Sequence, residues 1–151
     1  MTKYKALDAH DPQTYTSPMR DPMTDILIRH GITPTAQRLA VARVLLAKPQ
    51  HLTAEQVHAR VNAGERKVSV ATVYNTLKLF VGQGLLREVV VDPGRVFYDS
   101  TTNDHHHFYD ITSGELSDIP AGAVNFASLP DVPGDRELAG VDVVIKVRPR
   151  A

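Results

Sequence analysis

Residues 69–81 read SVATVYNTLKLFV, and this stretch decides the fold. Ser69 is a favoured residue at helix starts, and Gly82 and Gly84 follow the segment, so we predict a helix between them. The apolar residues at helical spacing are Val70, Val73, Leu77 and Val81. The polar residues that this spacing leaves on the opposite side are Thr72, Asn75, Thr76 and Lys78. The segment therefore predicts a helix with one buried and one polar face.

Three shorter helices are predicted before this one. Asp21 followed by Pro22 is a common helix opening, and Gly31 ends that helix. Thr33 and Pro34 repeat the opening for a second helix, which ends at Pro49. Residues 53–56, TAEQ, match a capping box and start a third helix that runs to about residue 64.

A two-stranded hairpin follows the fourth helix. We predict strands over residues 85–91 and 96–99, joined by a tight turn at residues 92–95. Short helices followed by a hairpin are the layout of a winged helix, in which the helix before the hairpin enters the DNA major groove. Exposed Thr, Tyr and Asn side chains can reach base edges, although a solvated helix face explains the same polar pattern equally well.

The C-terminal third is predicted to form a small α/β domain. Strands are expected over residues 108–111, 115–119 and 141–147. So short a segment buries too little apolar surface to stand alone, and its valine-rich last strand would be an exposed edge. We therefore expect it to pair with a second copy of the chain, the alternative being that the strand packs against the first domain.

The fold class predicted is α+β with four segments. Residues 1–20 form a flexible arm, residues 21–99 a winged-helix DNA-binding domain and residues 100–104 a hinge. Residues 105–151 form a dimerisation and metal-sensing domain.

Composition limits the classes of function. The chain has 151 residues, no cysteine and no apolar run long enough to cross a bilayer, so we expect a cytoplasmic protein with no membrane partner. Residues 20–100 carry 11 basic and 7 acidic side chains, whereas residues 101–151 carry 4 and 8. A basic half suits a polyanion and an acidic half suits a cation. Without cysteine, any metal must be held by imidazole and carboxylate groups.

A histidine cluster lies in the acidic half, at residues 104–107, DHHH. In a strand, His105 and His107 share one face, while Asp104 and His106 point to the other. Two imidazoles at that spacing can chelate a metal ion, although an exposed polar loop would explain the triplet as well.

Three stretches closely resemble the ferric uptake regulator family: GITPTAQR at 31–38, TAE at 53–55 and SVATVYNTL at 69–77. The resemblance covers residues 23–119. It implies a winged helix joined to a dimerisation domain. A metal at their junction would set the angle between the two winged helices of a dimer. DNA contacts are expected from the fourth helix and from two arginines, at Arg38, Thr72, Tyr74, Asn75, Thr76, Lys78 and Arg95. Arg38 and Arg95 would clamp phosphates.

The resemblance also implies a regulatory site for Fe(II), Mn(II) or Zn(II). The residues at its ligand positions are His51, Asp99, His105, His107 and Asp118. The same set matches the peroxide-responsive branch, in which peroxide reacting with Fe(II) held by His51 and His105 would oxidise those imidazoles. Most family members also hold a structural zinc with two Cys-x-x-Cys pairs. Asp110 and Ser113 stand at the first pair here, so no structural zinc held by four cysteines is expected.

The chain looks most similar to the iron response regulator branch, in the His triplet before Phe108 and in residues 118–122 and 141–144. That branch associates the triplet with haem, which makes His105, His106 and His107 candidate haem ligands. We therefore expect a homodimeric repressor that binds operator DNA, is not an enzyme and responds to a divalent metal or haem to control iron and haem genes. The alternatives are a peroxide-sensing repressor, a metallohydrolase that uses the histidines to activate water, and a haem-trafficking module.

Overall fold

The computed structural model describes residues 20–65 and 67–151, so the predicted arm lies outside the described residues except for Arg20. The helices are α1 (Pro22–Arg29), α2 (Ala36–Leu46), α3 (Ala54–Val61) and α4 (Val70–Gly82). The strands are β1 (His51–Leu52), β2 (Arg87–Asp92), β3 (Arg95–Asp99), β4 (His105–Asp110), β5 (Leu116–Pro120) and β6 (Val144–Val147). A 3-10 turn covers Ala121–Ala123. The mixed helix and sheet content confirms the α+β expectation.

Side-chain caps start the four helices. Asp21 accepts a hydrogen bond from the Met23 amide at 3.0 Å, as predicted. Thr53 and Gln56 form the predicted capping box. The expectation that Thr33 opens α2 was wrong, because Thr35 has the extended backbone and accepts from the Arg38 amide at 3.2 Å. A hydroxyl caps the amide two or three residues along the chain, and only Thr35 is that close to the first free amides of α2.

α4 packs at the centre of the helical core, but its buried face is rotated relative to the prediction. Val73, Leu77 and Phe80 are fully buried, whereas Val70 is 53% exposed and Thr76 only 5% exposed. Thr76 lies three residues after Val73 and four before Phe80, which is the spacing of one helix face. The expectation that Thr76 faces outward was therefore wrong.

The first sheet has the order β1-β3-β2, and all its pairs are antiparallel. No sequence pattern predicted β1. Its register places His51 opposite Asp99 on β3. β3 is covered on both faces: Val96 and Tyr98 pack with the helical core, while Phe97 belongs to a second apolar cluster.

The second sheet has the order β5-β4-β6, with β5 antiparallel and β6 parallel to β4. The helical component predicted for residues 105–151 was wrong, because the described residues there contain one 3-10 turn and no α-helix. Prolines at 130 and 133 and glycines at 122, 134 and 140 interrupt the long connection to β6, and both residue types disfavour helices. The last strand is also shorter than predicted.

The β4–β5 turn is closed by hydrogen bonds. The Asp110 carboxylate accepts from the amides of Thr112 at 2.8 Å and Ser113 at 3.1 Å. Local hydrogen bonding therefore shapes the turn at the two positions where the resemblance would imply a cysteine pair. Within the described ranges, no helix has the length and apolar character needed to span a lipid bilayer.

Candidate metal centre

Five side chains converge where the two sheets meet, and each offers one ligand atom within 4.8 Å of the others. They are the five residues expected from the sequence: His51, Asp99, His105, His107 and Asp118.

Strand register places each of them. β1 pairs with β3 and sets His51 against Asp99. Alternation along β4 directs His105 and His107 to one face, as predicted, and the β4–β5 register sets Asp118 opposite His107. The cluster therefore joins two residues of the first sheet to three of the second.

All three imidazoles present Nε2 to the two carboxylates. Asp99 Oδ2 lies 2.7 Å from Nε2 of His105, 3.2 Å from that of His107 and 3.3 Å from that of His51. Asp118 Oδ1 lies 2.8 Å from His51 Nε2 and 3.4–3.5 Å from the other two. Asp99 is fully buried, whereas the Asp118 side chain is 45% exposed, so the cluster opens to solvent on the Asp118 side.

The hydrogen bonds around the cluster fit a bound cation. His105 Nδ1 lies 2.6 Å from the Asn103 carbonyl, which only accepts, so Nδ1 carries the proton. In the neutral ring the Nε2 lone pair then faces the Asp99 carboxylate. His51 Nε2 is buried and makes no hydrogen bond of acceptable geometry, despite its closeness to Asp118. A metal ion at the centre would satisfy both nitrogen lone pairs, and a backbone carbonyl orienting the far nitrogen is typical of metal-binding histidines.

The electrostatics favour positive charge at this point. Burial opposes charge on the His51 ring, yet the nearby carboxylates of Asp99 and Asp118 raise the pKa of His51 above its ordinary value. Burial alone would raise the pKa of Asp99, but the adjacent His107 and His51 rings and the Thr101 amide hold that pKa far below its ordinary range. Two carboxylates balance a divalent ion, and nitrogen and oxygen ligands of this kind suit Fe(II), Mn(II) or Zn(II).

None of the candidate DNA-contacting residues belongs to the five-residue cluster. A groove of about 220 Å³ between α2 and α4 is lined by Thr35, Gln37, Arg38, Thr72, Asn75, Thr76 and Leu79. Tyr74 and Lys78 are exposed on α4 outside it. Thr35 and Gln37 were not among the predicted DNA contacts, although both lie within three residues of Arg38.

Two expected site residues are engaged elsewhere. Arg95 Nη1 donates to the Tyr109 hydroxyl at 2.7 Å and so lies against the second sheet. His106 points away from the cluster, as predicted, and its Nδ1 accepts from the Val143 amide at 3.2 Å.

Known proteins share this architecture. The model of the ferric uptake regulator family matches residues 29–127. The peroxide-responsive repressor PerR of Staphylococcus saprophyticus is 28% identical over 107 residues, covering 71% of this chain and 72% of the relative. PerR of Staphylococcus aureus strain Mu50 is 30% identical over 95 residues, covering 63% of this chain and 64% of the relative.

Solved structures are similar in fold. The Pseudomonas aeruginosa ferric uptake regulator with manganese has a TM-score of 0.64 and 20% identity, covering 87% of this chain and all of that one. The Campylobacter jejuni peroxide stress regulator has a TM-score of 0.57 and 18% identity, covering 85% and 94%. Because the family model spans about two thirds of the residues and the folds agree, the chain belongs to the ferric uptake regulator family, whose members are metal-responsive transcriptional regulators.

Proposed function

We propose that this protein is a metal-responsive repressor that binds operator DNA as a homodimer in the cytoplasm and controls iron or haem homeostasis genes. The observation that carries the proposal is the five-residue cluster, because it connects the two sheets. His51 and Asp99 come from the sheet attached to the helices, and the other three residues come from the second sheet. Metal binding in the cluster would fix the angle between the two sheets, and α4 moves with the first sheet.

The cluster residues would hold the ion, and the ion would supply a positive charge that offsets both carboxylates. In the absence of the ion, Nε2 of His51 and Nε2 of His105 face those carboxylates, and His51 Nε2 makes no hydrogen bond. Metal binding and the docking of the two sheets are therefore expected to stabilise each other.

DNA reading is assigned to α4 and the start of α2. Tyr74 is 44% exposed, Asn75 and Lys78 are exposed, and Thr72 lines the groove beside Arg38. Amide and hydroxyl groups can hydrogen-bond base edges, and lysine and arginine can bind phosphates. Thr76 is too deeply buried to reach a base, so we leave it out of the proposed contact set.

The outer face of the second sheet supports the homodimer. Phe108 on β4 and Ile145 and Val147 on β6 share this face, and each is 37–39% exposed. β6 is an edge strand of the sheet. An exposed edge beside exposed apolar side chains favours association with a second copy. We therefore propose residues 21–99 as the DNA-binding segment, residues 100–104 as the hinge and residues 105–151 as the dimerisation segment.

A titration of operator DNA with and without Mn(II) tests the proposal. Coupling between metal and DNA sites is typically worth 5- to 150-fold in affinity. We expect a change of that order in the wild-type protein and a much smaller one in His51→Ala. Sequence-specific binding with equal affinity in both conditions would refute metal control. Binding that does not depend on DNA sequence would refute the proposed role as a transcriptional regulator.

A peroxide-sensing repressor is the second candidate. The relatives named above as peroxide-responsive repressors support it, and His51 and His105 lie together beside both carboxylates. Fe(II) with hydrogen peroxide should then add one oxygen atom to a peptide containing His51 or His105, whereas Mn(II) should not. Unmodified peptides after loss of DNA binding would exclude this mechanism. Membership in a family of regulators leaves the metallohydrolase alternative without support.

Haem as the effector rests on the resemblance to the iron response regulators. His106 Nδ1 accepts a hydrogen bond from the Val143 amide. The neutral ring then carries its proton on Nε2, so neither ring nitrogen has a free lone pair for iron. Haem ligation by His106 therefore requires this contact with the residue before β6 to break. A haem absorption spectrum that is the same in His106→Ala would exclude His106 as a ligand.

A further inference from the structure

A second contact joins the β2–β3 hairpin to the C-terminal sheet, at a distance from the metal-ligand cluster. Val89, Val91 and Phe97 of the hairpin and Tyr109 of β4 are buried in one apolar cluster. Leu116 and Val144, from the two neighbouring strands, pack against it. The Phe97 and Tyr109 rings meet edge to face, with centroids 6.3 Å apart. The hairpin is thus held from both sides, by the helical core and by the second sheet.

Arg95 closes this contact at the tip of the hairpin. Its Nη1 donates to the Tyr109 hydroxyl at 2.7 Å, and Tyr109 is only 3% exposed. The same guanidinium lies against the β4–β5 turn, where a Cβ added to Gly114 would be 3.2 Å from Nη1. Gly114 has φ +75°, so glycine permits both the turn and the close approach.

Ion pairs flank the apolar cluster. Lys146 Nζ lies 2.6 Å from Asp92 Oδ1, and Arg87 Nη2 lies 2.6 Å from Asp142 Oδ1. Each pair joins the hairpin to β6 or to the chain just before it. Exposed pairs stabilise little, but these two add to the specificity of the docked orientation.

The two contacts lie at opposite ends of β3. Asp99, in the metal-ligand cluster, is its last residue, and Arg95 is its first. Four residue steps of an extended strand separate them by roughly 13 Å. A hairpin anchored at one end can pivot, whereas one anchored at both ends has a fixed angle to the second sheet.

We propose that Arg95 and Tyr109 are positioning residues that dock the hairpin on the C-terminal sheet independently of metal, so that Arg95 is not a DNA phosphate contact. The effect of the Arg95–Tyr109 contact on DNA affinity rests on the proposed function. Because the contact includes none of the five candidate metal ligands, it should persist without the ion and limit how far α4 can rotate when metal is removed. Weakening it should therefore enlarge the change in DNA affinity that metal produces.

Hydrogen–deuterium exchange of the full chain, without DNA and with or without Mn(II), tests the docking. Tyr109→Phe and Arg95→Gln should each speed amide exchange in residues 87–99 roughly 10-fold in both metal conditions, as expected for losing one charge-assisted hydrogen bond. The double variant should add little, because both substitutions remove the same bond. Tyr74→Phe is the matched control, since it removes a tyrosine hydroxyl that bonds to Glu55 on α3, and exchange in 87–99 should not change.

A DNA titration separates positioning from a merely structural role. In Tyr109→Phe, the ratio of affinities with and without Mn(II) should increase, with unchanged metal stoichiometry. The proposal is overturned if Arg95→Gln leaves exchange unaltered but weakens binding to all DNA sequences and reduces the salt slope by about 0.9, the value for one lost phosphate contact. Failure of the wild-type protein to bind DNA would refute the proposed function and leave the exchange result intact.

Discussion

Replacing His51 with alanine tests whether the five side chains hold a metal ion. The substitution removes the Nε2 atom that lies 2.8 Å from Asp118 and 3.3 Å from Asp99. It also removes the ligand supplied by β1. The ion would keep Asp99 and three ligands of the second sheet, so we expect weakened binding and not its complete loss.

The expected loss is about 100-fold in metal affinity. Substitutions that only disturb the orientation of ligands cost 10- to 100-fold, and a ligand itself should reach at least the upper end of that range. At an ion concentration about 100 times the wild-type dissociation constant, binding stabilises the wild-type protein by about 2.7 kcal/mol and the variant by about 0.4 kcal/mol. For a chain of this size, the metal-induced rise in Tm should fall from roughly 5–10 °C to about 1–2 °C.

Thermal unfolding with chelator and with Mn(II) measures this difference. His58→Ala is the matched control, because His58 is a partly buried histidine on α3 outside the cluster, and its metal-induced rise should equal that of the wild type. If His51→Ala kept the full rise, the ion would bind elsewhere and the interdomain mechanism would be wrong.

Three other outcomes follow from the geometry. Asn75→Ala should weaken operator binding by about 1–3 kcal/mol per lost base contact, whereas Thr76→Val should leave it unchanged. A gel-shift titration measures both, and equal effects of the two substitutions would contradict the assignment of the α4 faces. Phe80→Ala should lower the free energy of unfolding by about 3–5 kcal/mol in urea, because Phe80 is fully buried in the helical core; a loss below about 1 kcal/mol would argue against that packing. The hydrogen bond from Tyr74 to Glu55 raises the pKa of Tyr74 above its ordinary value, so the neutral phenol persists to higher pH. In Glu55→Gln that pKa should move back toward 10 in an NMR titration of the tyrosine ring carbons, and an unshifted titration would mean that the contact is absent in solution.

The helices could be predicted because their signals are local. A capping side chain reaches amides two or three residues away, which is why Asp21, Thr53 and Ser69 were identified correctly. Thr35 was missed because Thr33 and Pro34 just before it carry a similar signal. Thr76 was misassigned because its polarity suggested exposure, whereas its position on α4 follows the buried spacing of Val73 and Phe80.

The strands were harder. β1 has two residues, too few for any alternation to show, and its existence depends on pairing with β3 about fifty residues later. Periodicity along β4 correctly placed His105 and His107 on one face. The positions of His51, Asp99 and Asp118 came from the family resemblance, and no local pattern pointed to them.

The sequence by itself determined the kind of ligand, since a chain without cysteine offers a metal only imidazole and carboxylate groups, and it determined the helices that local hydrogen bonds and apolar spacing specify. Only the tertiary structure decided which groups meet. His51 and Asp118 are 67 positions apart in the chain, and Arg95 of the hairpin donates to Tyr109 of the second sheet. Such contacts depend on strand register and on the packing of one sheet against another, which arise from long-range burial of apolar surface and leave no periodic trace in any short window of residues.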